Sequence, residues 1–252
     1  MTEVHHRYAT VAGRRVFYRE AGPADAPAIV LLHGFPPTSS FMFRNLIPQL
    51  SDRYRVIAPD FLGFGYSDAP SADEFDYTFD ALADVTAGLL QQLGVSRYAI
   101  YVQDYGAPPV GWRLALRDPA AITAIITQSG NGYDAGFVES FWTTVWAFQR
   151  EQTPQTEEGV RGALSLESIR WQYLEGVADE SLVSPDTWHH DFALISRPGN
   201  DVIQLALFLD YATNSKLYPP ALHDYLRTSE VPVLAVWGRE RPDLRARRCA
   251  GL

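Results

Sequence analysis

In the stretch YVQDYGAPPVG, residues 101–111, an apolar run ends on a carboxylate, Asp104, with the small residues Gly106 and Ala107 two and three positions after it. A side chain at the carboxyl end of a buried strand, just before a helix, stands where ligands bind in sheets built of alternating strands and helices. Asp104 has two readings. It caps the helix that Pro108 and Pro109 open, or it is a reactive group. As a nucleophile, an ionised carboxylate needs no base to take its proton, but attack on an acyl carbon gives a reactive anhydride. A saturated carbon with a leaving group, in an epoxide or an alkyl halide, suits it better. The resulting ester must then be cleaved by water at the Asp carbonyl, a step that needs a base and donors for the oxyanion.

The elements that must position this group are short apolar runs typical of buried parallel strands, at 28–34 (AIVLLHG), 54–60 (YRVIAPD), 98–104 (YAIYVQD) and 122–128 (ITAIITQ). Helical segments are predicted at 40–51, 78–93 and 106–117, so strand and helix alternate as in a parallel sheet covered on both faces. Before them, RYATVAGRRVFYREAG alternates about Gly13 as an antiparallel hairpin at the sheet edge. From about Tyr133 to Thr228 the sequence turns helical and aromatic-rich, and strand character returns in VPVLAVWG, 231–238. The predicted organisation is therefore an α/β core at 1–132, a helical lid at 133–228, a return strand at 229–238 and an Arg-rich tail at 239–252.

Composition narrows the function. A formal charge of −9 offers no basic surface for nucleic acid. Cys249 is the only cysteine, which excludes an internal disulfide framework and a multi-cysteine metal site. No metal or cofactor is expected. No run reaches membrane-spanning length and the N-terminus has no signal-peptide core, so the chain reads as soluble and cytoplasmic.

A second strand, LLHGFPP at 31–37, also ends in a tight loop. HGFP, APDFLGFGYSD, QDYGAP, the helical insert and LAVWG together resemble the α/β-hydrolases of the epoxide hydrolase and haloalkane dehalogenase group, from about residue 7 to 238. The resemblance implies an α/β-hydrolase fold with Asp104 as nucleophile and the backbone N–H groups of Phe35 and Tyr105 as the oxyanion hole. His33 takes a structural place in the loop. The resemblance also implies a small apolar substrate attacked by Asp104 and then by water, with ring-opening tyrosines in the lid: Tyr211 in LDYATN, and Tyr173 in RWQYL as a second candidate. Tyr105, where dehalogenases of this group carry Trp, and Phe35, where they carry Asn, favour epoxide over halide chemistry.

The resemblance stops after VWG. The tail holds five Arg between Arg239 and Arg248, and the last strand, the base His and the closing helix expected of the family have no counterpart. Of the chain's six histidines, His5 and His6 precede the core and His189, His190 and His223 lie in the lid segment. Glu240 is a stand-in for the acid of the triad. One deleted base in a GC-rich codon set chosen for this tail restores RSDPIFGPAGAR, the family's form, so a frame slip is one origin, decided by the gene's own bases. The expectation is a hydrolase impaired in its second step, with possible self-association through an open sheet edge. The alternatives are a haloalkane dehalogenase-like hydrolase and a non-catalytic small-molecule-binding protein of the same fold. A serine esterase finds no support, because Ser67 and Ser129 lack the elbow's glycine spacing.

Overall fold

A computed structural model describes residues 3–35, 38–133 and 137–237. The alternation about Gly13 forms a hairpin of β1 (His5–Val11) and β2 (Arg14–Ala21), with Tyr8 opposite Phe17. Ala12 and Gly13 join the strands at φ 48° and 77°, the positive-φ pair that matches the twist of a two-residue turn. β2 runs antiparallel to β4 (Arg55–Pro59). From there β3 (Ala28–Leu32), β5 (Tyr98–Gln103), β6 (Ile122–Gln128) and β7 (Val233–Val236) continue the sheet in parallel, in the order β1-β2-β4-β3-β5-β6-β7. The central strands are apolar throughout because both faces are covered: Val30, Leu32, Ile57 and Ile100 face one core, while Ile29, Leu31, Val56 and Ala58 face another closed by Phe43 and Ile47. Among the described residues β7 is the outermost strand on its side, with Val233, Leu234 and Val236 exposed by 38%, 57% and 47%.

Prolines correct the predicted helices. The helix expected at 40–51 is a 3₁₀ turn (Ser40–Phe43) capped by Ser39, then the short α1 (Ile47–Leu50) with Pro48 in its first turn. The one expected at 106–117 begins as a 3₁₀ turn (Asp104–Gly106), widens through a π turn (Ala107–Gly111) and becomes helical only in α3 (Trp112–Arg117). Two adjacent prolines without N–H donors cannot support regular i→i−4 bonding there. Between them, α2 (Phe79–Gln92) follows its prediction closely, with Thr78 accepting the Ala81 N–H. The return strand is confined to β7, beginning just after Pro232.

Between β6 and β7 the described residues form helices and one isolated bridge at Phe137. The helices are α4 (Glu139–Arg150), α5 (Pro154–Arg161), α6 (Leu166–Leu174), α7 (Asp186–Ile195), α8 (Asn200–Asp210), α9 (Asn214–Leu217) and α10 (His223–Thr228). Polar bonds tie them to the core. Asp210 accepts the Phe79 N–H that opens α2 (2.7 Å), Asn200 Nδ2 donates to Gly63 O (2.8 Å), and Thr38 donates to Asp191 (3.1 Å). Among the described residues no helix is long and apolar enough to cross a membrane, and no group of three His, Cys, Asp or Glu side chains is placed to hold a metal ion.

Candidate active site

β5 ends at Gln103, and the chain turns so sharply that Asp104 takes φ 47°, a conformation that costs a non-glycine residue about 1 kcal/mol or more and persists where the surroundings enforce it. Those surroundings are visible. Asp104 is 9% exposed, and its Oδ2 accepts the Phe35 N–H at 2.7 Å from the loop after β3, 69 residues away in sequence. The glycine often found two residues before a nucleophile is Val102 here, fully buried, while Gly106 keeps its place two residues after.

Gly34 explains why this loop can approach. A Cβ at Gly34 would lie 2.6 Å from Asp104 Cβ and 2.0 Å from Gln103 Oε1. His33 is fully buried and structural: its Nε2 accepts the Phe61 N–H (3.1 Å), so Nδ1 carries the proton and donates to Gly34 O (3.0 Å).

A cavity of about 190 Å³ opens over the carboxylate, lined by Phe35, Asp104, Tyr105, Trp142 and Phe208, with Ser168 and Gln172 adding polar groups from α6. A wider cleft of about 410 Å³ beside Leu90, Tyr98 and Leu114 holds no comparable nucleophile, so the smaller cavity is the candidate site. Its aromatic wall is continuous: Phe35 stacks on Tyr105 (5.5 Å) and meets Phe208 edge-on (5.8 Å).

The structure brings Asp104, Phe35 and Tyr105 together, packs Tyr211 against Tyr105 (5.7 Å) and Trp142 (5.0 Å) at the edge of the site, and places neither lid tyrosine in the cavity wall. Tyr211 donates to Asn131 Oδ1 (3.2 Å) and lines a neighbouring cavity of about 240 Å³, across Trp142 from the first. Tyr173 donates to Asp191 (2.6 Å), and burial and the Asp191 charge push its hydroxyl far above the usual phenol range. The phenol that does line the Asp104 cavity is Tyr105. Its Oη is buried with no hydrogen-bond partner among the described residues, and burial and then the Asp104 charge hold it well above the ordinary pKa, so it stays protonated. Sequence reasoning assigned Tyr105 only a backbone role. Its adjacency to Asp104 was the available signal. Trp142, on α4, lines both cavities, a place that depends on how α4 lies over the elbow.

None of the six histidines lines the Asp104 cavity. His223 bonds Gly132 O (2.9 Å) and stacks on Tyr133, and His190 stacks on Phe41. Glu240 lies outside the described residues, as does the whole tail from 238.

A family model described as alpha/beta hydrolase fold matches residues 27–240. An uncharacterized hydrolase of Saccharomyces cerevisiae is 42% identical over 236 residues, covering 92% of this chain and 80% of that protein. A haloalkane dehalogenase of Mycolicibacterium paratuberculosis is 39% identical over 117 residues, 46% of this chain and 38% of its own length. Among solved structures, the haloalkane dehalogenase DbeA of Bradyrhizobium elkanii superposes with a TM-score of 0.72 at 26% identity, covering 100% of this chain and 87% of that one. The epoxide hydrolase CorEH superposes at 0.73 with 22% identity over 94% and 83% of the two chains, a likeness of fold. With its sheet order, its elbow and a family match running across most of its length, the chain belongs to the alpha/beta hydrolase fold family and is by family a hydrolase.

Proposed function

We propose that this hydrolase acts on small apolar electrophiles, epoxides first, through an alkyl ester on Asp104. The observation that carries the reading is the buried Asp104 carboxylate at the elbow, with Oδ2 on the Phe35 N–H, at the floor of an aromatic cavity. In the first step a carboxylate oxygen bonds to a ring carbon, the ring C–O bond breaks, and its electron pair becomes an alkoxide. Tyr105, a residue of the same cavity whose buried hydroxyl stays protonated, supplies the proton once that hydroxyl turns toward the alkoxide. Tyr211 and Tyr173, engaged on Asn131 and Asp191, serve this step only by turning away from those partners. In the second step water adds to the ester carbonyl, and negative charge grows on the oxygen held by Phe35, with the Tyr105 N–H as second donor. Collapse releases a diol and restores the carboxylate, one proton of the water going to the departing alcohol oxygen and the other back to the Tyr105 phenolate. Residues 133–228 act as the lid that keeps bulk water from the ester.

The second step is the weak one. Among the described residues no histidine lines the cavity, which leaves the Tyr105 phenolate of the first step to take the proton of water, and the ester is expected to outlive its formation. Intact-protein mass after exposure to small epoxides and alkyl halides tests this: a stable one-to-one adduct is expected on the wild type and none on Asp104→Asn. An unmodified wild type overturns the covalent reading and favours a non-catalytic binding protein.

The halide reading has its own support in Trp142, whose indole lines the cavity, and in the dehalogenase relatives. A halide leaves without a proton. Tyr105→Phe is therefore expected to slow adduct formation from an epoxide by about a hundredfold and leave that from an alkyl halide within a few-fold. Equal slowing of both removes Tyr105 as the acid, and faster wild-type reaction with halides than with epoxides reverses the order of the two readings.

A further inference from the structure

We propose that a second pocket, on the outer edge of the sheet between the β1–β2 hairpin and α7, binds a planar aromatic carboxylate. It has a volume of about 440 Å³ and shares no residue with the Asp104 cavity. Its lining is aromatic. Tyr8, Phe17 and Tyr66 meet edge to face, with centroids 5.3 Å and 5.2 Å apart, and Phe41 and His190 stack at 4.1 Å. Tyr66 joins the two groups, edge-on to His190 at 6.0 Å with its hydroxyl 3.3 Å from His190 Nε2. Tyr8 and Tyr66 are half exposed, at 50% and 43%, a use of large rings that packing alone does not require.

The charge in this pocket is a single arginine. Arg19 is only 8% exposed, and burial lowers its pKa, yet a guanidinium stays ionised near neutral pH. Its Nε donates to Ser40 Oγ (3.1 Å) and its Nη1 to His6 Nε2 (2.6 Å). His6 is the acceptor there, its own pKa lowered by burial and by Arg19. Both N–H bonds of Nη2 and one of Nη1 remain for a ligand, enough for a two-pronged bond to one carboxylate. In a chain of net charge −9, this pocket is lined by no Asp or Glu. The acids nearby stand behind the wall: Asp60 takes the Ser40 and Tyr66 N–H bonds (2.6 and 2.8 Å), and Asp191 is held by Thr38 and Tyr173. They fix the pocket's shape and leave its mouth to Arg19. A donor fork at the base of an aromatic cleft fits an arene ring carrying a carboxylate. A cation would meet Arg19, and an aliphatic anion would leave the rings unused.

Benzoate is the probe, titrated into the full chain and followed by equilibrium dialysis, with cyclohexanecarboxylate and benzyl alcohol as comparisons. Saturable benzoate binding is expected, weakened about thirtyfold in Arg19→Gln and about tenfold in Tyr66→Ala, and retained in Asp104→Asn. Tyr66 is exposed and its backbone bond to Asp60 survives the change, so that variant tests the pocket independently of the fold. Binding unchanged by Tyr66→Ala places benzoate elsewhere and overturns the proposal. So does equal binding of cyclohexanecarboxylate, which removes the aromatic requirement, or of benzyl alcohol, which removes the charge. Absence of saturable binding overturns it as well.

Discussion

Gly34→Ala is expected to slow ester formation on Asp104 by about a hundredfold or more, read as the growth of the adduct mass with time. The added methyl has nowhere to go. Gln103 can swing its amide away from the 2.0 Å contact, but Asp104 Cβ, at 2.6 Å, belongs to the elbow itself and can yield only if the backbone moves. Either the loop after β3 lifts or the elbow relaxes from φ 47°, and each takes the Phe35 N–H off Oδ2. Losing that donor affects both steps, because it aligns the carboxylate for attack and later holds the oxyanion. The sheet beneath does not depend on it, so the circular dichroism spectrum should stay native. A Gly34→Ala protein that reacts at the wild-type rate would show that the contact between loop and elbow is incidental to the chemistry.

That contact was legible from the sequence because HGFP and QDYGAP each follow an apolar run, and a parallel sheet brings the carboxyl ends of adjacent strands together. β3 and β5 do pair, Ala28 beside Tyr98 through Leu32 beside Val102. The runs themselves were legible for the same physical reason: a strand covered on both faces has no polar positions to blur it. Helix limits near Pro48 and Pro108 were not, since apolar spacing continues through residues that cannot donate a backbone bond. The placement of the lid tyrosines was not legible. A phenol reaches a cavity or turns from it according to what its hydroxyl meets, and Tyr173 meets Asp191, a buried acid on α7 that no spacing in the sequence links to it. Asp191 also binds Thr38, so its role is to seat α7 on the core loop, which is a tertiary fact.

Arg113→Met should cost about 2–4 kcal/mol, since it leaves two acceptors, Pro109 O and Asn214 Oδ1, buried without their donor. On a chain of this size that lowers the unfolding midpoint by roughly 10 °C. Arg113, on α3, is 2% exposed and joins three parts of the molecule. Its Nε lies 3.2 Å from Asp80 on α2, Nη1 donates to Pro109 O and Asn214 Oδ1 (both 2.7 Å), and Nη2 donates to Thr213 (2.9 Å). Burial lowers its pKa and the Asp80 carboxylate opposes that effect, so the group keeps its charge at neutral pH. The contrast is Arg117, one turn on, which pairs with Asp80 and Asp84 at the surface. Arg117→Met should cost less than about 1 kcal/mol, because those pairs are exposed and screened. The same bonds make Arg113 a link between fold and site: Pro109 belongs to the widened turn that follows Asp104, and Asn214 to the helices beyond β6. A thermal melt distinguishes the two variants directly. If Arg113→Met melts with Arg117→Met, the helices after β6 are held by their apolar contacts and the bonds of Asp191, Asn200 and Asp210, and the elbow does not need the arginine beneath it.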